Sequence, residues 1–184
     1  MYKVLDLGSG TVNRLTEDYK DFERITLDFN PNMKPDIFCD VRKMDEREDL
    51  KEAFDAVFCS HMIEHFSIRD IRKILQNVKF VMKKDAWFEI LCPDVLAVMK
   101  YVVDERMDLD AVLYRVLTKD IRAIDVLYGL GNTREDTRFE NEFMKHCFGF
   151  SRKTLVQTLH SAGFNIVDDY TQEGTFEIRM VAYL

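Results

Sequence analysis

At 184 residues the chain is long enough for one domain with a real core and too short for two comfortable ones. Hydrophobic residues at 47% and aromatics at 12% exclude a disordered chain. A formal net charge of -7 argues against general binding to nucleic acid or anionic membrane, because phosphate contacts need clustered Lys and Arg. Cys39, Cys59, Cys92 and Cys147 form no CxxC pair, so they read as free, mostly buried thiols in a reducing compartment. No apolar run approaches the roughly 20 residues of a membrane span. Met1 is followed almost at once by a core strand, with no signal segment, so the expected location is cytoplasmic.

Taken in chain order, Tyr2 to Leu7 reads as a buried strand that runs into the glycines Gly8 and Gly10. Val12 to Phe22 is a short polar crossover that fits a brief helix. Glu23 to Leu27 is a second strand, closed by Asp28 and the turn cluster Phe29-Asn30-Pro31-Asn32. Pro35 to Cys39 is a third strand ended by Asp40, and Asp45 to Phe54 is amphipathic enough for a helix. Phe54 to Cys59 is the fourth strand. Ser67 then caps a helix whose apolar positions Ile68, Ile71, Ile74, Leu75, Val78 and Val81 recur with helical period. Lys83-Lys84-Asp85 is read as the turn into a fifth strand, Ala86 to Cys92.

This alternation predicts an α/β fold: a three-layer, Rossmann-like sandwich with a mostly parallel seven-stranded sheet. The rhythm breaks at Asp94 to about Tyr128, read as long, helical and without a strand, and at a polar loop over 129–136. Residues of about 94–145 are therefore expected to form a helical cap inserted into a single domain spanning 1–184. Ser151 caps a last helix that stops at Ala162-Gly163, and Phe164 to Asp168 with Thr175 to Tyr183 make a closing pair of strands.

A parallel sheet collects the carboxyl ends of its strands along one edge, so Asp6, Asp28 and Asp40 should line one crevice beside Gly8 and Gly10. Asp28 lies 20 residues after Gly8, the spacing at which a carboxylate accepts from both hydroxyls of a ribose. Asp40 is in reach of an adenine exocyclic amine. No third glycine follows Gly10, where Thr11, Val12 and Asn13 stand, and Asp6 would repel a pyrophosphate. Together these favour a cationic adenosyl ligand over a dinucleotide.

Val4 to Gly10 resembles the first motif of the class I S-adenosylmethionine-dependent methyltransferases. Phe54 to Phe66 (FDAVFCSHMIEHF) and Phe88 to Asp94 (FEILCPD) are similar to the fourth- and fifth-strand motifs of their small-molecule subgroup. Lys145 to Phe164 (KHCFGFSRKTLVQTLHSAGF) is similar to its end segment. The resemblance implies S-adenosyl-L-methionine as cofactor, with Asp6, Gly8, Ser9, Gly10, Asp28, Phe29, Asp40, Val41, Ser60 and His61 around it. It implies a small-molecule acceptor under the cap, and His61, His65 and His146 as candidate bases where the acceptor must lose a proton.

The chain departs from the family in its short first crossover, in Val12 where another glycine often stands, and in starting at the first strand without lid helices. The absence of an Asn/Asp-Pro-Pro-aromatic tetrapeptide after the fourth strand argues against amino methylation of DNA bases. No metal site is expected. His61-Met62-Ile63-Glu64-His65 matches the HxxEH pattern of inverted zinc proteases, but it begins at the end of a strand with no helix to frame it. A non-catalytic module binding the same cofactor is the main alternative; a nicotinamide-dependent oxidoreductase is a weaker one.

Overall fold

The computed structural model describes residues 1–10, 13–116, 119–130 and 144–184. Its centre is a sheet of β1 (Tyr2–Leu7), β2 (Phe22–Asp28), β3 (Ile37–Phe38), β4 (Phe54–Ser60), β5 (Met82–Pro93), β8 (Ile166–Asp169) and β9 (Glu177–Tyr183). The spatial order is β3-β2-β1-β4-β5-β9-β8. The first five strands are parallel; β9 runs antiparallel to both β5 and β8. The order reverses between β1 and β4, the switch point at which such sheets open a ligand crevice. The expected Rossmann-like sheet with its antiparallel closing strand is therefore present.

Period-two alternation divides the buried strand residues between two faces. Leu5, Leu7, Val57, Cys59, Phe88 and Ile90 belong to the main core, with α1 (Ile68–Val81) and α4 (Arg152–Ser161) packed against it. Ser67 caps α1 through Asp70, and Ile71, Ile74, Leu75, Val78 and Val81 are all buried; Ile68, expected in the same stripe, is largely exposed. The opposite face is thinner. There Val4, Ala56 and Phe58 meet Tyr19, Phe22 and Trp87, which pack ring against ring.

A buried polar chain seals this second face. Tyr19 donates its hydroxyl to Glu89 Oε2 at 2.7 Å, Arg179 Nε donates to Glu89 Oε1 at 2.6 Å, and Trp87 Nε1 donates to the Tyr19 oxygen at 3.1 Å. Burial and the neighbouring Glu89 carboxylate push the Tyr19 hydroxyl far above the usual phenol range.

Four local expectations are corrected. The crossover before β2 holds only a 3-10 turn, Glu17–Tyr19, among its described residues, and Val12 lies outside them. The helix expected over 45–54 is two 3-10 turns, Val41–Glu46 and Glu48–Leu50, because Arg47 adopts an extended conformation between them while Met44 and Leu50 plug the core. Lys83-Lys84-Asp85 is not a turn: α1 passes directly into β5 at Met82, and the polar residues open that strand, with Lys83 paired to Asp55 at 2.8 Å.

The fourth correction concerns the stretch from Asp94. It is not continuously helical. Asp94 caps α2 (Val95–Asp104), and Arg106 at φ +52° turns the chain out of it. An antiparallel hairpin follows, β6 (Val112–Val116) and β7 (Lys119–Arg122), and then α3 (Ala123–Tyr128). These elements share a small core of their own, with Val98, Val102, Ala123 and Val126 buried and Leu113, Ile121 and Phe176 packed on them. The part of the expected polar loop over 131–136 lies outside the described residues. Cys59 and Cys92 are buried, Cys39 half-buried and Cys147 exposed, all as free thiols. Among the described residues no helix is long and apolar enough to cross a membrane.

Candidate active site

The carboxyl ends of β1, β2 and β4 meet at the switch point. Gly8 and Gly10 turn the chain away from β1 with φ of +62° and +53°, conformations that strain a side-chain-bearing residue. Gly8 N donates to Leu27 O at 2.8 Å, locking the turn to β2. Asp28, buried at the end of β2, clamps both turns: Oδ2 accepts from Gly10 N at 3.3 Å and Oδ1 from Asn30 N at 2.8 Å. Its carboxylate thus stands beside the glycine turn, as the spacing requires.

Asp6 is 3% exposed and is paired with a cation from the neighbouring strand. Arg24 on β2 sends Nε and Nη2 to Asp6 Oδ2 at 2.8 and 2.6 Å. Burial raises the Asp6 carboxyl, an effect that Arg24 opposes. Asp40 accepts from Arg42 N and forks with the Arg42 guanidinium, which holds its carboxyl below the usual range. That guanidinium also lies 5.8 Å from the centre of the Phe66 ring. Asp40 is thereby the N-cap of the 3-10 turn Val41–Glu46. Val41 is buried in the core, its carbonyl taken by Asn77 Nδ2 at 2.8 Å, while Phe29 is partly exposed and Ser9 half-buried beside the glycines. The Ser60 hydroxyl oxygen is buried with no hydrogen-bond partner among the described residues.

Met62 carries no mark in the sequence that ties it to the glycine turn. It lies under the glycine turn: a Cβ built on Gly8 would come within 2.5 Å of Met62 Cγ, whereas one on Gly10 would meet nothing within 4 Å among the described residues. Gly8→Ala therefore adds a clash to the ~1–2 kcal/mol cost of a non-glycine residue at positive φ, and Gly10→Ala carries the backbone cost alone. Urea denaturation is expected to rank the stabilities wild type, Gly10→Ala, Gly8→Ala.

Past β4 the three candidate histidines gather around Glu64. His61 has φ +50° and its Nε2 is 2.5 Å from Glu177 Oε2 on β9, with Nδ1 3.4 Å from Glu64 Oε1. Burial pulls the His61 imidazole down, but Glu177 and Glu64 outweigh it and raise it to about 9. His65 and His146 have ring centres 5.0 Å apart. The nitrogen Nδ1 of His65 lies 3.0 Å from Lys145 O, and that of His146 lies 2.8 Å from Val126 O. Burial lowers the His146 imidazole. Glu64 itself is 2% exposed, and burial, which would raise it, is overcome by the histidines that lower it. The HxxEH pattern spans a strand end and one 3-10 turn, Ile63–His65, so the helix that a zinc protease needs is missing. His160 bonds Phe164 O at the end of α4, a structural role.

The chain matches the family model described as a methyltransferase domain over residues 2–169. No curated protein matches it by sequence. Among solved structures, an S-adenosylmethionine-dependent methyltransferase from Archaeoglobus fulgidus superposes with a TM-score of 0.60 at 16% identity, covering 98% of this chain and 85% of the other. One from Clostridium acetobutylicum gives 0.61 at 14%, covering 99% and 83%. The Burkholderia thailandensis 1,6-didemethyltoxoflavin-N1-methyltransferase, solved with S-adenosylhomocysteine, gives 0.56 at 14%, covering 98% and 69%. The fold is that of a class I S-adenosylmethionine-dependent methyltransferase. This chain belongs to the methyltransferase domain family.

Proposed function

We propose that the chain transfers the methyl group of S-adenosylmethionine to a small-molecule acceptor held beneath the insertion formed by α2, β6, β7 and α3. The observation that carries this reading is the Asp28 clamp: a buried carboxylate fixed beside a two-glycine turn at the switch point. In the bound state Asp28 would accept from the ribose hydroxyls, the Gly8–Gly10 backbone would lie against the amino-acid end, and Asp6 would face its ammonium group. Asp40, Phe29 and Val41 belong on the adenine side, and Ser60 and His61 near the sulfonium.

The sulfonium methyl is already activated, so the protein's task is to place a nucleophile in line and exclude water. His61, held charged near neutrality by Glu177, suits donation and positioning rather than proton removal. That leaves His65 or His146 as the base where the acceptor needs one. The net charge of -7 favours a small acceptor over nucleic acid.

The test is transfer of labelled methyl from S-adenosylmethionine to a panel of small hydroxyl- and amine-bearing acceptors. Label in a product that is lost in Asp28→Ala supports the reading. Tight cofactor binding with no transfer to any acceptor would instead favour a non-catalytic binding module.

A further inference from the structure

Glu64, His65 and His146 each present one donor atom, and these three atoms lie within 4.8 Å of one another. Neither oxygen of the buried Glu64 carboxylate has a hydrogen-bond partner among the described residues; His61 Nδ1 lies 3.4 Å from Oε1. Burying a carboxylate without hydrogen bonds costs several kcal/mol unless another charge compensates. A single imidazolium at 3.4 Å, shared with Glu177, compensates the carboxylate only in part, and a metal ion between the carboxylate and the two rings would complete it.

The rings are already prepared for ligation. Each Nδ1 faces a backbone carbonyl, Lys145 O for His65 and Val126 O for His146, so Nδ1 carries the proton and Nε2 keeps its lone pair. A backbone carbonyl behind a ligating histidine fixes both tautomer and ring orientation. The two halves of the cluster are also tied together through the main chain, because Cys147 N and Phe148 N both donate to Glu64 O, at 2.8 and 3.1 Å. That pairing brings His146, 81 positions further along the chain, against the turn that holds His65.

We propose that Glu64, His65 and His146 form a site for a first-row divalent transition-metal ion, of the two-histidine, one-carboxylate type. Such a donor set takes Zn2+, Mn2+ or Fe2+ and leaves further coordination positions open to water or an acceptor oxygen. It differs from the HxxEH pattern in its ligands, since His61 is turned to Glu177 and stays outside it. An ion here takes the same Nε2 lone pairs that would otherwise accept a proton, so on either ring ligation and base catalysis exclude each other. Metal binding is read without any methyl acceptor, so its failure leaves the methyltransferase reading standing.

The test uses the full chain, stripped with chelator and titrated with Zn2+ by calorimetry and with Co2+ by visible absorption. One ion per chain is expected, with a Co2+ spectrum of nitrogen and oxygen ligation and no thiolate charge-transfer band. Affinity should fall roughly 10- to 100-fold or more in both Glu64→Gln and His146→Gln, by analogy with losses of supporting ligands. His160→Gln, away from the cluster, should bind as wild type. Circular dichroism verifies that each variant is folded, and His146→Gln carries the test if Glu64→Gln does not fold. No stoichiometric uptake by the wild type, uptake unchanged in His146→Gln, or a thiolate spectrum from Cys59 or Cys92 would overturn the site.

Discussion

Asp28→Ala is expected to weaken S-adenosylhomocysteine binding by two to four orders of magnitude. A carboxylate that accepts from two ribose hydroxyls makes two charge-assisted hydrogen bonds, at about 1.5–3 kcal/mol each. Their sum of ~3–6 kcal/mol is roughly a hundred- to ten-thousand-fold in affinity at about 1.4 kcal/mol per factor of ten. The same carboxylate also braces the glycine turn through Gly10 N and Asn30 N, so its removal loosens the turn as well as deleting the contact. Asp28→Asn separates the two effects. It keeps one oxygen for a backbone N–H but loses the charge and puts a donor where an acceptor is needed, so it should bind between wild type and Ala. Calorimetry on folded protein is the measurement. An Asp28→Ala protein that binds as tightly as wild type would move the ribose away from this residue.

The second large effect is on stability, at Glu89. Its carboxylate is 2% exposed and satisfies both Tyr19 and Arg179. Glu89→Ala leaves a phenol and a guanidinium facing a cavity, and breaking a buried pair from one side costs about 3–5 kcal/mol. Arg179 retains Asp18 at 3.3 Å and is partly solvent-exposed, which puts the expected loss at the lower end. Against a typical total of ~5–15 kcal/mol, this is a large fraction of the stability. Replacing Tyr19, Glu89 and Arg179 together, with Tyr19→Phe, Glu89→Leu and Arg179→Met, should recover part of the loss, because the only donor then left without its partner is the half-buried Trp87 indole N–H. Urea titration of the single and triple variants decides it. A Glu89→Ala protein within 1 kcal/mol of wild type would mean that the face beside Tyr19 admits water.

These two residues differ in how far the sequence reveals them. Asp28 is visible as an acid that ends an apolar run at a fixed spacing after two glycines. The same logic places β1, β4, β5 and α1, whose apolar patterns are long and whose ends carry Gly, Asp or a capping Ser. Glu89 has no such mark. Its partners come from 70 and 90 positions away, and only strand register and face bring them together. The same holds at the histidine cluster. His61, His65 and His146 are legible as candidates, but their convergence on Glu64, and the pairing of His61 with Glu177 over 116 positions, depend on β9 returning beside β5 and on residues 145–148 docking against the turn after β4.

The hairpin of β6 and β7 is hidden from the sequence for a different reason. Val112 to Val116 has residues that suit either state, and its neighbours on both sides are helical, so periodicity alone favours continuing the helix. What selects strand is tertiary: Leu113 and Ile121 must reach Val98, Val102 and Phe176. Likewise, the helix expected over 45–54 tightens into 3-10 turns because Met44 and Leu50 must both reach the core across a short span.

Titration of the wild-type chain with S-adenosylhomocysteine goes most directly to the reading of the crevice. A glycine turn clamped by a buried carboxylate should bind one equivalent per chain, compete with S-adenosylmethionine and ignore NADH. Absence of nucleoside binding, or a dinucleotide bound in its place, would contradict it.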